Sequence, residues 1–441
     1  MTRLSNRLSI MVACLALEAG VARAQDSTPP FRGITIIGTY DPTRDKIPIA
    51  ILPISGAFGD SIRTIIDRDL NENSDRFTRV AVDARDVAGV RTAGTGSGLN
   101  YPLFKSLNAV AIVQITQVAT GLHIALHDVA KASVARVWEM PLPGAGLGRD
   151  WRMAVHRASD EVEKTVIGRA GIAATRIAYM RGNAIRVVDS DGASEITVPT
   201  EDMGYSPAWS PNGSSIVYST YGPSSRIFLI DLATGRSRAI LGPVLNAAFL
   251  TPAFSPDGQS ILYARSSGDQ SDIYLVSLAN PGSPRRLTVV RGLMNTNPVF
   301  SPNSRRVAYV SNALGRPELY TVDADGTNND VLTNYDFSER NYRSDPDWSP
   351  DGRLIAYQER IKDDFQIRTI QVTGSTPKLL TSEGENEQPS WAPDGRHLVF
   401  TSTRTGARQL WVMDTETGHV RQLTKSAGSK LASWSARVTG Q

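Results

Sequence analysis

The chain has 441 residues, of which 41% are apolar and 21% charged, with 47 basic side chains against 44 acidic ones and a single cysteine. Such a composition supports globular domains with full-sized cores. It excludes a disulfide framework and, with no long Lys/Arg run, a nucleic-acid groove.

Arg3 and Arg7 precede an apolar run over residues 8–17, and Ala22-Arg23-Ala24 matches a small-x-small cleavage site. The run is shorter than the ~20 residues that span a bilayer. Residues 1–24 therefore read as a signal peptide, and the expected product is a soluble exported protein beginning at Gln25. Cleavage removes Cys14 and a net +2, which leaves +1 of the original +3 and no thiol nucleophile or thiolate metal ligand.

Residues 25–170 carry no repeat and read as an α/β domain. Strands are expected at 33–37, 47–52, 77–82, 109–113, 122–126 and 134–138. A helix is expected over 59–71, where Ile62, Ile65, Ile66 and Leu70 recur at near-helical spacing behind Asp60. Residues 103–107 form a short helix. The clearest helix runs over 151–167, with Met153, Val155, Ala158, Val162 and Val166 on or near one side. Gly89, Gly94, Gly96 and Gly98 mark a loop.

Residues 171–441 are repetitive. Trp209, Phe254, Phe300, Trp348 and Trp391 each lead into a Ser/Ala-Pro-Asp/Asn-Gly/Ser turn, and Trp434 carries a degenerate copy. The spacings are 45, 46, 48, 43 and 43 residues, the period of a propeller blade. Each turn opens an apolar strand, such as Ile216-Val217-Tyr218 or Ile261-Leu262-Tyr263. A third strand follows, such as Ile273 to Val276, and a short fourth runs into Leu-Thr, as at Leu287-Thr288, Leu380-Thr381 and Leu423-Thr424. Ile177-Ala178-Tyr179 has no first strand beside it, and Ser433-Trp434-Ser435 is an orphan first strand. Pairing the two makes a composite blade and a total of six. The predicted fold class is an α/β N-terminal domain plus an all-β six-bladed propeller closed by the C-terminal strand.

In the turns, proline presets φ, Asp bonds its own backbone and glycine supplies positive φ. Asp257-Gly258, Asp351-Gly352 and Asp394-Gly395 are therefore assigned to turn structure. Asp269, Asp272, Asp363 and Asp364 sit in loops able to meet calcium, without a compact calcium-loop spacing. His123 and His127, four apart on a strand, are too far apart for one metal. His156 reads as a packed side chain. Gly94-Thr95-Gly96-Ser97-Gly98 is not a nucleophile elbow, since its serine is not centred between glycines. No catalytic residue, metal or cofactor is expected. Short rigid loops gathered at a propeller face suit protein docking, and Arg265, Arg316 and Arg404 on such loops are the candidate contacts.

The arrangement resembles the TolB family of the Tol–Pal envelope system. The resemblance is carried by Ile47-Pro48-Ile49-Ala50-Ile51-Leu52-Pro53, by Leu126-His127-Asp128-Val129, and by Val155 to Glu161 followed by Gly168 and Thr175-Arg176-Ile177-Ala178-Tyr179. Pro317 to Gly326 is close to the family's blade signature. The resemblance implies a non-catalytic periplasmic scaffold that supports envelope integrity and cell division. Its propeller would dock a peptidoglycan-associated lipoprotein, and its N-terminal region would meet an inner-membrane-anchored Tol partner. A propeller-borne hydrolase or lyase working from the channel, and an envelope polysaccharide-binding module, are the alternatives.

Overall fold

In the computed structural model the residues described are 46–82, 98–144, 146–222, 224–288, 293–333 and 342–438. The expected signal peptide, the strand expected at 33–37 and most of the glycine loop lie outside them. Among the described residues no helix is long and apolar enough to cross a membrane.

The first domain is one mixed sheet with helices on it. Strand β1 (Ile47–Ile51) pairs in parallel with β2 (Phe77–Val80) and β3 (Ala111–Val118), and β4 (Gly121–Asp128) and β5 (Ser133–Pro141) continue antiparallel, in the order β2-β1-β3-β4-β5. β-Branched Ile47, Ile49 and Ile51 point to one face and meet α1 (Gly59–Arg68) and α3 (Arg149–Ile167) through Ile62, Ile66, Val155 and Val162. The short α2 (Tyr101–Ser106) covers the other face with Phe104. The helix expected over 59–71 breaks differently. After Arg68 the backbone widens into a π turn, Asp69–Asn73, which buries Asp69 and Asn73 rather than continuing an amphipathic face. Helix α3 stops at Gly168, whose φ of 81° lets its N–H reach the Lys164 carbonyl.

Six four-stranded antiparallel sheets follow, blades one to six. Blades one to five span 204–241, 248–286, 295–331, 343–379 and 386–422. Blade six joins the C-terminal strand Ser429–Trp434 to Arg176–Arg181, Ala184–Asp189 and Ile196–Thr197. Ser433 pairs with Ala178 and Trp434 with Ile177. The composite blade expected from the orphan Trp434 is present.

The blades seal against one another through the second strands. Tyr179, Tyr218, Tyr263, Tyr309, Tyr357 and Phe400 occupy equivalent positions and are all among the most deeply buried side chains. Each large ring fills the wedge that one sheet alone leaves open. The Leu-Thr pairs prove to be clasps. Thr288, Thr381 and Thr424 accept, through Oγ1, the backbone N–H of Ile273, Ile367 and Leu410 at 3.0, 2.8 and 2.9 Å. Thr288 and Thr381 also donate to Asp272 and Gln366. The hydroxyl satisfies a third-strand N–H just where the fourth strand ends.

Candidate docking face of the propeller

One face of the disc is built from the Ser-Pro-Asp-Gly turns. Ser255 Oγ donates to Asp257 Oδ1 at 2.5 Å, and the same oxygen accepts the Gln259 N–H at 3.0 Å. Asp351 repeats this with Ser349 and Arg353 at 2.7 and 3.0 Å. Asp394, whose blade has Ala392 in place of serine, takes the backbone N–H of Arg396 and His397 and the His397 ring at 2.6 Å. Gly258, Gly352 and Gly395 have φ between 68° and 74°. The Ser255 hydroxyl bond holds the Asp257 carboxyl below its usual range. Asp394 is driven down by the adjacent His397 despite the opposing effect of burial. All three carboxylates are spent inside their own turns.

The first domain covers this face at blades five and six. Thr417 Oγ1 donates to Asp75 at 3.0 Å, Arg76 pairs with Glu416, and Asp191 of blade six receives Arg68 and Arg152 at 3.0 and 2.7 Å. Among the described residues, no hydrogen bond or ion pair joins the first domain to the opposite face.

That opposite face carries the loops between second and third strands and the connections that enter each blade. The two are tied blade by blade. Tyr221 N–H reaches the Met203 carbonyl, Met294 N–H reaches Asn312 Oδ1 at 2.8 Å, and Arg360 N–H reaches the Tyr342 carbonyl at 2.9 Å. Large apolar side chains stand on it: Leu245 is 88% exposed, Tyr221 76% and Met294 51%, with Met203, Tyr342 and Leu314 also exposed. A groove of about 240 Å³ between blades one and two is lined by Tyr205, Tyr221, Phe249 and Leu250. The apolar lining of this groove, open to solvent, is the part of the face suited to an interaction site. Single apolar residues in loops break no periodicity, so the sequence carries no signal for them.

The three candidate arginines lie at this same face, all half-buried and all engaged. Arg265 stacks on Tyr274, with its guanidinium carbon 5.5 Å from the ring centre. Arg316 approaches Glu318 at 3.5 Å. Arg404 lies over Phe400 and Trp411 at 5.3 and 4.9 Å and bonds Ser402 and Asn386. Each is held by neighbours within its own blade.

The channel opens along the axis, with about 160 Å³ of space between the first strands. Five strands carry a residue in the left-handed region directly before proline: Ser206, Thr251, Asn297, Asp345 and Gln388, with φ of 45–57°. Leu431, at 55°, holds the sixth position. Each sits at a shift of register in its ladder. Asp345 receives the Asn297 amide at 2.8 Å, and Asp347 receives the Trp391 N–H at 2.6 Å. Burial pushes both carboxyls up to about 6.

The remaining singled-out residues are dispersed. His123 meets Glu139 at 2.6 Å at the surface, and His127 is held between Tyr101 and Gln114 at 2.8 and 3.1 Å. Asp272 pairs with Arg286. Ser159 and His156 share Asp69, but the hydroxyl donates to the carboxylate and not to the imidazole. That order does not activate a serine.

Against this geometry the comparisons are consistent. The family model described as the TolB beta propeller domain matches residues 163–438. The Tol-Pal system protein TolB of Methylococcus capsulatus is 30% identical over 46% of this chain and 50% of its own length. That of Polaromonas sp. is 31% identical over 44% and 46%. The chain spans about half the length of the curated relatives it matches. The crystal structure of TolB from Acinetobacter baumannii superposes with a TM-score of 0.75 at 23% identity, covering 92% of this chain and 99% of that one. The last is a likeness of fold.

Proposed function

Because the chain belongs to the TolB β-propeller family, we propose that it is a non-catalytic periplasmic scaffold of a Tol–Pal-like system. In this reading residues 1–24 direct export, 25–170 form the N-terminal domain and 171–441 the propeller. The propeller docks a peptidoglycan-associated lipoprotein of the outer membrane, and the N-terminal region engages an inner-membrane-anchored Tol partner. The assembly supports envelope integrity and division.

The observation that carries the reading is the open face, with exposed Leu245, Tyr221 and Met294 on its loops and connections. Aromatic and aliphatic side chains with arginines on the same face have the composition of a protein-docking patch. Arg265, Arg316 and Arg404 are assigned to it. The test is binding of the purified lipoprotein from the same organism to wild type and to Leu245→Asp with Tyr221→Ser. Affinity should fall at least tenfold, which is about 1.4 kcal/mol, with the melting temperature unchanged. Undiminished binding by the double variant removes this face from the function.

A further inference from the structure

Helix α3 crosses onto the propeller at His156, which is 0% exposed. Its Nδ1 lies 2.8 Å from Asp69 Oδ2. Asp69 also accepts Ser159 Oγ at 2.7 Å and the Asn73 amide at 3.1 Å, so it is a fully engaged carboxylate and Nδ1 carries the proton. The other ring nitrogen, Nε2, is buried with no protein hydrogen bond. The nearest ligating atoms of His156, Asp189 and Asp191 all fall within 4.8 Å of one another. Asp189 is likewise 0% exposed and closes no short hydrogen bond; burial pushes its carboxyl up, against the pull of His156, Arg176 and the Ser194 hydroxyl.

Two changes would balance an imidazole nitrogen and a carboxylate that close no short hydrogen bond: a metal ion between them, or a proton on Nε2. The surroundings choose. Arg152 Nε and Arg176 Nε approach Asp189 at 3.8 and 3.4 Å, and both are themselves without an acceptor in hydrogen-bond geometry. Arg68 and Arg152 converge on Asp191 at 3.0 and 2.7 Å, and Arg421 of blade five bonds the intervening Ser190 carbonyl at 2.8 Å. Arg149, on the same helix, adds a further charge near Asp189. These guanidiniums do not lose their protons. A divalent ion would be seated among fixed like charges, whereas one proton on the ring adds a single charge facing three carboxylates.

We propose that His156 is a doubly protonated pin, donating from Nδ1 to Asp69 of the N-terminal domain and setting its charge against Asp189 and Asp191 of the propeller, and that its deprotonation uncouples the two domains. Burial alone opposes the charge, but the carboxylate of Asp69, with Asp191 and Asp189 behind it, outweighs burial and moves the ring above the ordinary histidine range. The coupling is then complete below about pH 6.5, where a free histidine is charged, and is lost as pH rises through the higher folded value. The device would set how firmly the N-terminal domain is held, independently of which partner the open face binds.

The experiment is a titration of the mature wild-type protein labelled with nitrogen-15 histidine, following both ring nitrogens by NMR from pH 5.5 to 9, alongside calorimetry. The expected result is a His156 ring that titrates with a midpoint above about 6.5. The single unfolding transition should split in two above that midpoint. His156→Gln should show the split at every pH. A ring neutral throughout the range overturns the proposal, as does a ring whose titration appears only after chelator treatment, or a transition that stays single above the midpoint. Because the wild-type spectrum decides the charge by itself, a variant that fails to fold leaves the proposal open to refutation.

Discussion

The indole Nε1 of Trp434 donates to Thr175 Oγ1 at 2.8 Å, a bond between residues 259 positions apart. Around it Ser433 and Trp434 pair with Ala178 and Ile177, Ser435 Oγ accepts the Arg176 N–H at 2.9 Å, and Arg437 bonds the carbonyls of Ala170 and Gly171. The two ends of the propeller are thus sewn together by side chains as well as by a ladder. Trp434→Ala should cost about 3–5 kcal/mol, the range for large aromatic truncations in a core. Removing residues 432–441 should cost more and expose the Arg176–Arg181 strand edge, measurable as a fallen denaturation midpoint and as aggregation. An unchanged midpoint would mean that the ring closes by other contacts.

Arg396 is a second anchor. Its Nε donates to Asp414 Oδ1 at 2.9 Å within blade five, its other terminal nitrogen completes a two-pronged pair, and Nη1 reaches the Ser74 carbonyl across the domain boundary. Arg396→Ala leaves the buried Asp414 carboxylate without its cation, a loss of about 3–5 kcal/mol. Arg396→Met with Asp414→Leu should recover most of it, since a well-packed apolar pair replaces the ions without stranding a charge. Chemical denaturation of the three proteins checks this.

Asp160 and Glu163, one turn apart on α3, make the fold prefer acid. Burial pushes Asp160 up to about 7, and burial with the neighbouring Asp160 pushes Glu163 up to about 8. Both therefore hold protons in the folded chain at pH values where the unfolded chain has lost them. Their contribution is full below about pH 4 and drains away as pH rises through 7 and 8, at a limit of about 1.4 kcal/mol per pH unit for each proton held. Glu163→Gln should flatten the decline in urea midpoint between pH 5 and 8. An identical slope would show that Glu163 is ionised at neutrality.

Gly192 closes the turn that presents Asp191 to the first domain. Its φ is +84°, and a Cβ there would stand 2.9 Å from the Leu423 carbonyl oxygen. Gly192→Ala combines backbone strain with a contact that only backbone movement relieves, and should cost about 1–3 kcal/mol. Its thermal shift should exceed that of Gly182→Ala, a left-handed glycine at φ +59° whose Cβ would meet nothing within 4 Å.

Arg404 separates docking from packing. Stacked over Phe400 and Trp411 and bonded to Asn386, it should destabilise the fold by about 1–2 kcal/mol when cut to alanine. Arg404→Lys keeps the charge but loses the flat stack. A binding defect shared by both at a temperature where both are folded assigns Arg404 to the interface; a defect confined to alanine assigns it to the blade.

The propeller was legible because its constraints are local and repeated. Trp391, Pro393, Asp394 and Gly395 each do one backbone task within a few residues, and the same task recurs at the blade period. The domain interface was not legible. Asp189 and Asp191 look like the turn residues of any blade, and only the folded chain sets them against His156, an imidazole on a helix of the other domain. Asp69 was concealed more deeply, since the spacing of Ile62, Ile66 and Leu70 continues smoothly past the point where the helix widens. The loops of the open face were legible as a docking surface, but its apolar residues were not. Leu245 and Tyr221 stand alone in their loops, and nothing in the linear order shows that six such loops meet at one rim.

The seam in blade six has a kinetic corollary. Five blades consist of neighbours in sequence and can condense as each hairpin emerges, whereas the sixth waits for a loop of some 250 residues to close. Until then the chain is an open arc with two unsatisfied rims. The slowest productive step in refolding should be the arrival of Ser429–Trp434, and any chaperone that guards this chain in transit has those rims to cover.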